Sequence, residues 1–292
     1  MTTDLHAVVS RAPRRDRRGS IWANAAWLYV PALLILLPVF LAPTILLLSM
    51  SVTAEPAGLS HYQELFGSNL FWTVLWRSVV MSFVVAAIAL VIGLPYASIA
   101  NSAGPRMSAV LYGAIVSSLF FSVIVRAYAW LALLGTGGPV IKFFEQIGIP
   151  TEKLALVNSP TGVVIGMVQY GVPFMVLAIS DVMRRVDSSY DRAAATLGAG
   201  PITRWVKVKL PMLMPGITAG ITIVFVTTLG YFIIPSILGS PQQMMIGQLI
   251  SQQVGTTMNW GMGAAMASVL LIITLAIVLV MQWVGKRIGR QQ

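Results

Sequence analysis

Six separate runs of this chain are each long and apolar enough to cross a lipid bilayer, and that limits the fold more than any motif. They cover approximately Trp27–Met50, Arg77–Ala100, Met107–Leu134, Thr161–Met183, Leu213–Leu238 and Met262–Val284. About 20 helical residues, rising ~1.5 Å each, span the hydrocarbon core. Lipid offers no partner to backbone N–H and C=O groups, so such runs must become helices. Composition leaves no other solvent. Only 10% of residues are charged, against about 25% in a soluble domain. The first run exceeds the roughly 7–15 residues of a signal-peptide core and reads as an uncleaved spanning helix. Pro31, Pro38 and Pro43 are expected to kink or interrupt it. The expected fold class is an all-α membrane protein of six transmembrane helices. A basic tail over 1–25 precedes a helical domain over 26–286, with a polar loop at 187–211 and a short tail over 287–292.

The basic residues orient these helices. With the N-terminus inside, fifteen Lys and Arg fall on the inner side: five in the tail, Arg106, six from Arg184 to Lys209, and three after Val284. Lys142, Lys153 and Arg77 fall outside, and Arg126 falls within a helix. The positive-inside rule therefore places both termini in the cytoplasm. The net charge of +10 is spent on orientation. No basic stripe interleaved with aromatics is available to grip a nucleic acid strand. The outer loops are then Val52–Trp76, Gly135–Pro160 and Gly239–Gly261. The second predicts a turn and a short amphipathic helix in GTGGPVIKFFEQIGI, and the third another such helix in MMIGQLISQQV.

The inner loop from Asp187 to Gly216 has the grammar of a short surface helix followed by a sharp break. Ser188 is suited to the N-cap, with Asp191 as the acid of a capping box. Ala193, Ala194, Ala195 and Leu197 continue the helix, and Gly198 is suited to the left-handed position that ends it. Gly200 turns the chain, and Pro201 is placed to open a second helix that carries Arg204, Lys207 and Lys209 to Leu210-Pro211.

Ala193-Ala194, Gly198 and Val208-Lys209-Leu210-Pro211 together resemble the "EAA" loop of importer-type ABC transporter permeases. FFSVIVRAYAWLALLGTGGPV, QYGVPFMVLAISDVMRRVD, YFIIPSILGSP and MMIGQLI, all after about Ser117, are similar to the polyamine (spermidine/putrescine-type) permease branch. The resemblance implies the type I importer permease fold and a second, homologous permease as partner in a heterodimer. It also implies an ABC ATPase homodimer inside, an extracytoplasmic solute-binding protein outside, and a bacterial inner-membrane location. ATP and magnesium would bind the ATPase subunits and no cofactor this chain. Ser188, Asp191, Arg192, Ala193, Ala194, Leu197 and Gly198 would form the ATPase-coupling helix. Two departures stand out. Arg192 occupies the place of the usual Glu, and no acid lies in Gly230-Tyr231-Phe232-Ile233-Ile234-Pro235-Ser236, where some polyamine permeases carry a carboxylate. Opine-like, amino-acid-derived or phosphonate solutes stay open beside a polyamine.

Within the spanning runs, a substrate path is expected at Gln169, Tyr170, Tyr231, Trp260 and Arg126. Gln169 and Tyr170 precede Pro173, which removes a backbone donor, and broken helices at mid-depth line solute paths; a buried interhelical hydrogen bond is the alternative. Tyr231 and Pro235 allow gating or simple kinking. Arg126 is either a gate or site for an anionic solute group, or a side chain snorkelling to outer headgroups beside Tyr128 and Trp130. Asp181 predicts a helix-end ion pair with Arg184 or Arg185. Gly162/Gly166 and Gly216/Gly220 have the small-residue spacing of close helix contacts.

Catalysis by this chain finds no support. It has no cysteine, and its two histidines lie outside the apolar runs. No H-E-x-x-H pair, carboxylate dyad or phosphate-binding G-K-[ST] loop occurs. The expected role is a permease without its own ATPase site, with a gradient-driven secondary transporter as the rival.

Overall fold

The structure is a computed structural model that describes residues 18–148, 156–187 and 189–290. Among these, every regular element is helical. Six helical stretches are long and apolar enough to span a membrane: Leu33–Thr53, Asn69–Ser102, Val123–Gln146, Pro160–Met183, Pro201–Leu229 and Trp260–Gly285. The chain divides into two compact units, Met1–Ser49 and Met50–Gln292.

The first unit is dominated by α1 (Arg18–Thr53), which runs on into the start of the second. The helix passes through Pro31, Pro38 and Pro43 without interruption, so the expected interruption does not occur. Of the basic tail expected over 1–25, residues 1–17 lie outside the described residues and 18–25 are already helical.

The second unit begins with α2 (Ser60–Gly67), α3 (Asn69–Ser102), α4 (Pro105–Leu119), α5 (Val123–Leu134), α6 (Pro139–Gln146) and α7 (Pro160–Met183). It continues through α8 (Ser189–Thr196), α9 (Pro201–Arg204), a π-helical turn (Trp205–Lys209), α10 (Leu210–Leu229) and α11 (Ile233–Leu238). A 3₁₀ turn, α12 (Ile246–Gly255) and α13 (Trp260–Arg290) complete it. The short helices expected in GTGGPVIKFFEQIGI and MMIGQLISQQV form as α6 and α12, but α6 falls within the stretch Val123–Gln146 and not outside a span.

At the centre α3, α7 and α10 pack on one another. Val85 and Ala89 of α3 meet Met175, Val176 and Ile179 of α7 and Val224 of α10 in one buried cluster. Between lipid-immersed helices the hydrophobic effect supplies little, so close backbone approach and dispersion carry the contact. Gly216 and Gly220 provide it. A Cβ on Gly216 would lie 2.9 Å from the carbonyl oxygen of Ala178, and one on Gly220 2.5 Å from Met175 Sδ. Gly166 does the same toward α11, where Ile234 and Leu238 would each be 2.9 Å from an added Cβ. A second cluster joins α2 and α3 to α12 and α13 through Leu65, Phe71, Ile246, Leu249 and Met262. There Ser78 Oγ accepts from the Ile246 N–H at 2.8 Å, meeting a buried donor at the start of α12.

Three expectations change. The run Met107–Leu134 is divided at Phe120–Ser122, so the third span is Val123–Gln146. Its cause is a side chain that takes up the freed carbonyls, described below. Pro173 lies inside a continuous α7, so the break expected at Gln169–Pro173 is absent; the fifth run breaks instead at Gly230–Phe232. The helix opened by Pro201 does not stop at Leu210-Pro211 but runs on through the π turn into α10. Pro211 has no N–H and crowds the carbonyl four residues back. The wider turn, with Leu210 N–H donating to Trp205 O, lets the helix absorb it.

Gly216→Ala should overpack the α7–α10 contact by about 1–3 kcal/mol and lower the unfolding midpoint of the detergent-solubilised chain. Gly113→Ala, whose Cβ would meet nothing within 4 Å, should leave the midpoint unchanged or slightly raised. Equal midpoints for G216A and the wild type would remove the glycine from the contact.

Candidate functional site

Two places gather the residues singled out from the sequence. The first is the loop from Asp187 to Lys209. Asp187 Oδ1 accepts from the Ser189 N–H at 2.8 Å and so caps the start of α8. This bond holds the Asp187 carboxyl below its ordinary range. Its contribution is present above the ordinary carboxylate pKa and fades as pH falls through the lowered value. Ser188, the expected N-cap, lies outside the described residues.

At the other end the left-handed stop forms as expected. Gly198 has φ +80°, its N–H donates to Ala195 O at 3.0 Å, and Ala199 N–H donates to Ala194 O at 3.1 Å. These paired bonds form a Schellman motif and meet carbonyls that α8 would otherwise leave open. Nothing crowds a Cβ at this glycine; backbone conformation alone selects it.

Asp191 does not complete a capping box with a described group. Its carboxylate reaches Arg204 at 3.2 Å and Lys209 at 3.8 Å, tying α8 to α9 and the π turn. From the sequence, Arg204 and Lys209 read only as basic residues of the second helix, because their pairing with Asp191 depends on how the loop folds back. Between α8, the π turn and the ends of α3 and α7 lies a cavity of about 310 Å³, lined by Ile99, Tyr190 and Trp205 among others. The opposite face of the loop is open. Ala193 and Arg192 are exposed and Ala194 half-buried, while Leu197 is 88% and Ile202 81% exposed.

The second place lies at the two helix breaks. Arg126 sits in the first turn of α5 and is only 7% exposed. Its Nη2 donates to the carbonyls of Ser118 and, at 3.5 Å, of Phe121, groups released where α4 ends. The guanidinium carbon stands 5.7 Å from the Tyr170 ring centroid. Tyr170 in turn lies 4.8 Å from Tyr231 and 5.3 Å from Phe174. Arg126 therefore turns inward instead of snorkelling, although Tyr128 beside it is exposed. Three side-chain atoms buried here have no hydrogen-bond partner: Arg126 Nη1, Tyr231 Oη and Gln169 Oε1. Gln169 also borders an apolar groove of about 530 Å³ between α3, α4, α5 and α7. Trp260 is not part of this cluster; it opens α13, is half exposed, and makes no ring contact with Tyr170 or Tyr231.

Asp181 pairs with Arg185 at 2.9 Å on the exposed end of α7, as its spacing predicts. Arg184 instead lies over the Tyr112 ring at 4.3 Å.

Residues 14–290 match the family model described as "Binding-protein-dependent transport system inner membrane component". The spermidine/putrescine transport system permease protein PotB of Haemophilus influenzae is 28% identical over 259 residues, 86% of this chain and 90% of that protein. The inner membrane ABC transporter permease protein YdcU of Escherichia coli K12 is 31% identical over 237 residues, 77% of this chain and 75% of that one. Among solved structures, a bacterial alginate ABC transporter in complex with a periplasmic protein carrying an alginate pentasaccharide superposes with a TM-score of 0.73 at 18% identity, covering 93% of this chain and 96% of that one. The inward-facing MetNI methionine ABC transporter gives 0.54 at 20% identity, over 77% of this chain and 98% of the other. At these identities the structural likeness concerns the fold.

The partly buried Asp191–Arg204 pair should show a coupling of about 0.5–1 kcal/mol in a double-mutant cycle. D191R and R204D would each lower the unfolding midpoint, and the reversed pair D191R/R204D would recover most of the loss. Strictly additive losses would leave the contact without energetic weight.

Proposed function

From the premise that this chain belongs to the family of binding-protein-dependent transport system inner membrane components, we propose that it is one half of the translocation path of an ATP-driven importer. The chain is a multi-pass inner-membrane permease subunit. The further reading is that ATP is hydrolysed by separate subunits and that α8 receives their motion. One observation carries it. A short helix outside every spanning stretch, α8, is closed by a glycine-dependent stop and tied through Asp191 to Arg204 of α9 and Lys209 of the π turn, and it leaves Leu197 and, across the turn in α9, Ile202 bare. Exposed apolar side chains in that setting mark a docking surface.

The chemistry of coupling is mechanical. Ala193 and Ala194 are small enough to seat in a groove, and Leu197 supplies apolar contact area. A push on α8 passes through the Asp191–Arg204 pair and the π turn into α10, and from α10 to α7 across the Gly216–Gly220 contact. Two packings of such a bundle, biased by nucleotide on the partner, would alternate inner and outer access. The fifteen basic residues on one side support cytoplasmic termini, with α8 on the same side as the ATPase. A second permease of the same family would complete the path, and an extracytoplasmic binding protein would deliver the solute to the outer loops. Named relatives carry spermidine and putrescine, and a polyamine or related aliphatic amine is the solute class that this similarity supports.

Gly198→Asp adds a Cβ at positive φ and a negative charge at a helix C-terminus, both unfavourable. In a reconstituted complex it should leave the subunit inserted and ATP hydrolysis running while solute uptake falls at least tenfold. Wild-type uptake by this variant would overturn the docking role. Uptake driven by an ion gradient, by this chain alone and without nucleotide, would favour a secondary transporter.

A further inference from the structure

The polar atoms left unpaired at the two helix breaks have a chemistry of their own. We infer that Arg126, Tyr231 and Gln169 form a recognition site for the acidic group of the solute, so that the transported amine also carries a carboxylate or phosphonate. This inference rests on the importer reading and narrows its solute class.

The argument begins with Arg126. Its charge is buried, and a guanidinium is never neutral in a protein. One arm, Nη2, is used by the carbonyls at the end of α4, while Nη1 faces no acceptor. The Tyr231 hydroxyl, at the second break, is likewise buried and unpaired. The rings of Tyr170 and Tyr231 connect the two positions. An anionic oxygen is the partner that both donors lack, and charge-assisted bonds to such an oxygen are the strong ones. Gln169 borders the groove that Ser118, the acceptor of Arg126, also lines, and its unpaired carbonyl oxygen is an acceptor suited to an ammonium on the same solute.

At Arg126 the charge balance works against a bare polyamine. Among the described residues two acids lie in spanning stretches, Glu145, exposed near the end of Val123–Gln146, and Asp181, exposed at the end of α7 and paired with Arg185; neither is placed against Arg126 or Tyr231. The aromatic face that could hold an ammonium, Tyr170, already faces the Arg126 cation. A polycation would therefore meet like charge where it needs a counter-charge. An amino acid-like or aminophosphonate-like solute meets a cation and a hydroxyl donor for its acid and an amide oxygen for its amine. The groove of about 530 Å³ beside Gln169, almost wholly apolar, can take an aliphatic chain.

The test is equilibrium binding to the whole transporter in lipid nanodiscs without nucleotide, using two labelled probes of equal chain length, 4-aminobutanoate and putrescine. Saturable binding of 4-aminobutanoate is expected, weakened at least tenfold in Arg126→Gln. Arg126→Lys keeps the charge and should retain binding within a few-fold. Tyr231→Phe, which removes only the hydroxyl, should weaken it several-fold without loss of the folded subunit. The inference is overturned by saturable binding of putrescine alone, by absence of saturable 4-aminobutanoate binding, or by acid binding that is indifferent to R126Q and Y231F. Failure of the importer reading would appear elsewhere, as uptake that does not depend on nucleotide, and leaves this binding measurement unaffected.

Discussion

In hydrocarbon a backbone carbonyl without a donor has nowhere to turn, and that constraint governs the interior of this protein. Wherever a spanning helix stops short, something within the chain must take up the freed groups. At Phe120–Ser122 it is the guanidinium of Arg126, folded back from the first turn of α5 onto the end of α4. At the base of α10 it is a change of helical register, in which Leu210 N–H donates to Trp205 O and the helix runs on past Pro211. Arg126 is drawn into the interior by carbonyls, and its remaining donor stays buried without a partner.

The same constraint explains the division of labour along the fifth span. From Pro201 to Leu229 helix is continuous in one form or another. The glycine contact with α7 keeps the two helices at van der Waals distance, where packing is discrete and not continuously deformable. At Gly230–Phe232 the helix opens, and Tyr231 sits at that opening against Tyr170 of α7. A link therefore runs from α8 to the aromatic cluster through elements in direct contact.

Much of this was legible from the residues. Gly198 could only be a stop, because its place after an alanine-rich turn calls for positive φ, and Pro201 could only open a helix. The small-residue spacings at Gly162/Gly166 and Gly216/Gly220 foretold close contacts because a missing side chain has one use in lipid. What escaped was set by partners distant in sequence. Phe120-Phe121-Ser122 contains neither proline nor glycine, so nothing local announces the break that Arg126 stabilises. Asp191 reads as a capping acid, yet Arg204 and Lys209 reach it once the loop closes and Asp187 already serves the start of the helix. Pro173 reads as a breaker, but α7 is packed on both sides by α3 and α10 and keeps its course. Trp260 reads as a path residue by its aromatic character; in the fold it opens α13 and makes no ring contact with Tyr170 or Tyr231.

Docking of α8 on a nucleotide-hydrolysing partner is the point on which the functional reading turns, and the chain offers a clean probe of it. It contains no cysteine, so Leu197→Cys introduces a single thiol at the most exposed apolar position of the loop. Cross-linking that thiol in reconstituted complexes, with and without ATP, should trap the ATPase subunit and shield Cys from a water-soluble maleimide. A thiol that reacts freely with the maleimide in every nucleotide state, and that never joins the ATPase, would contradict the docking of α8.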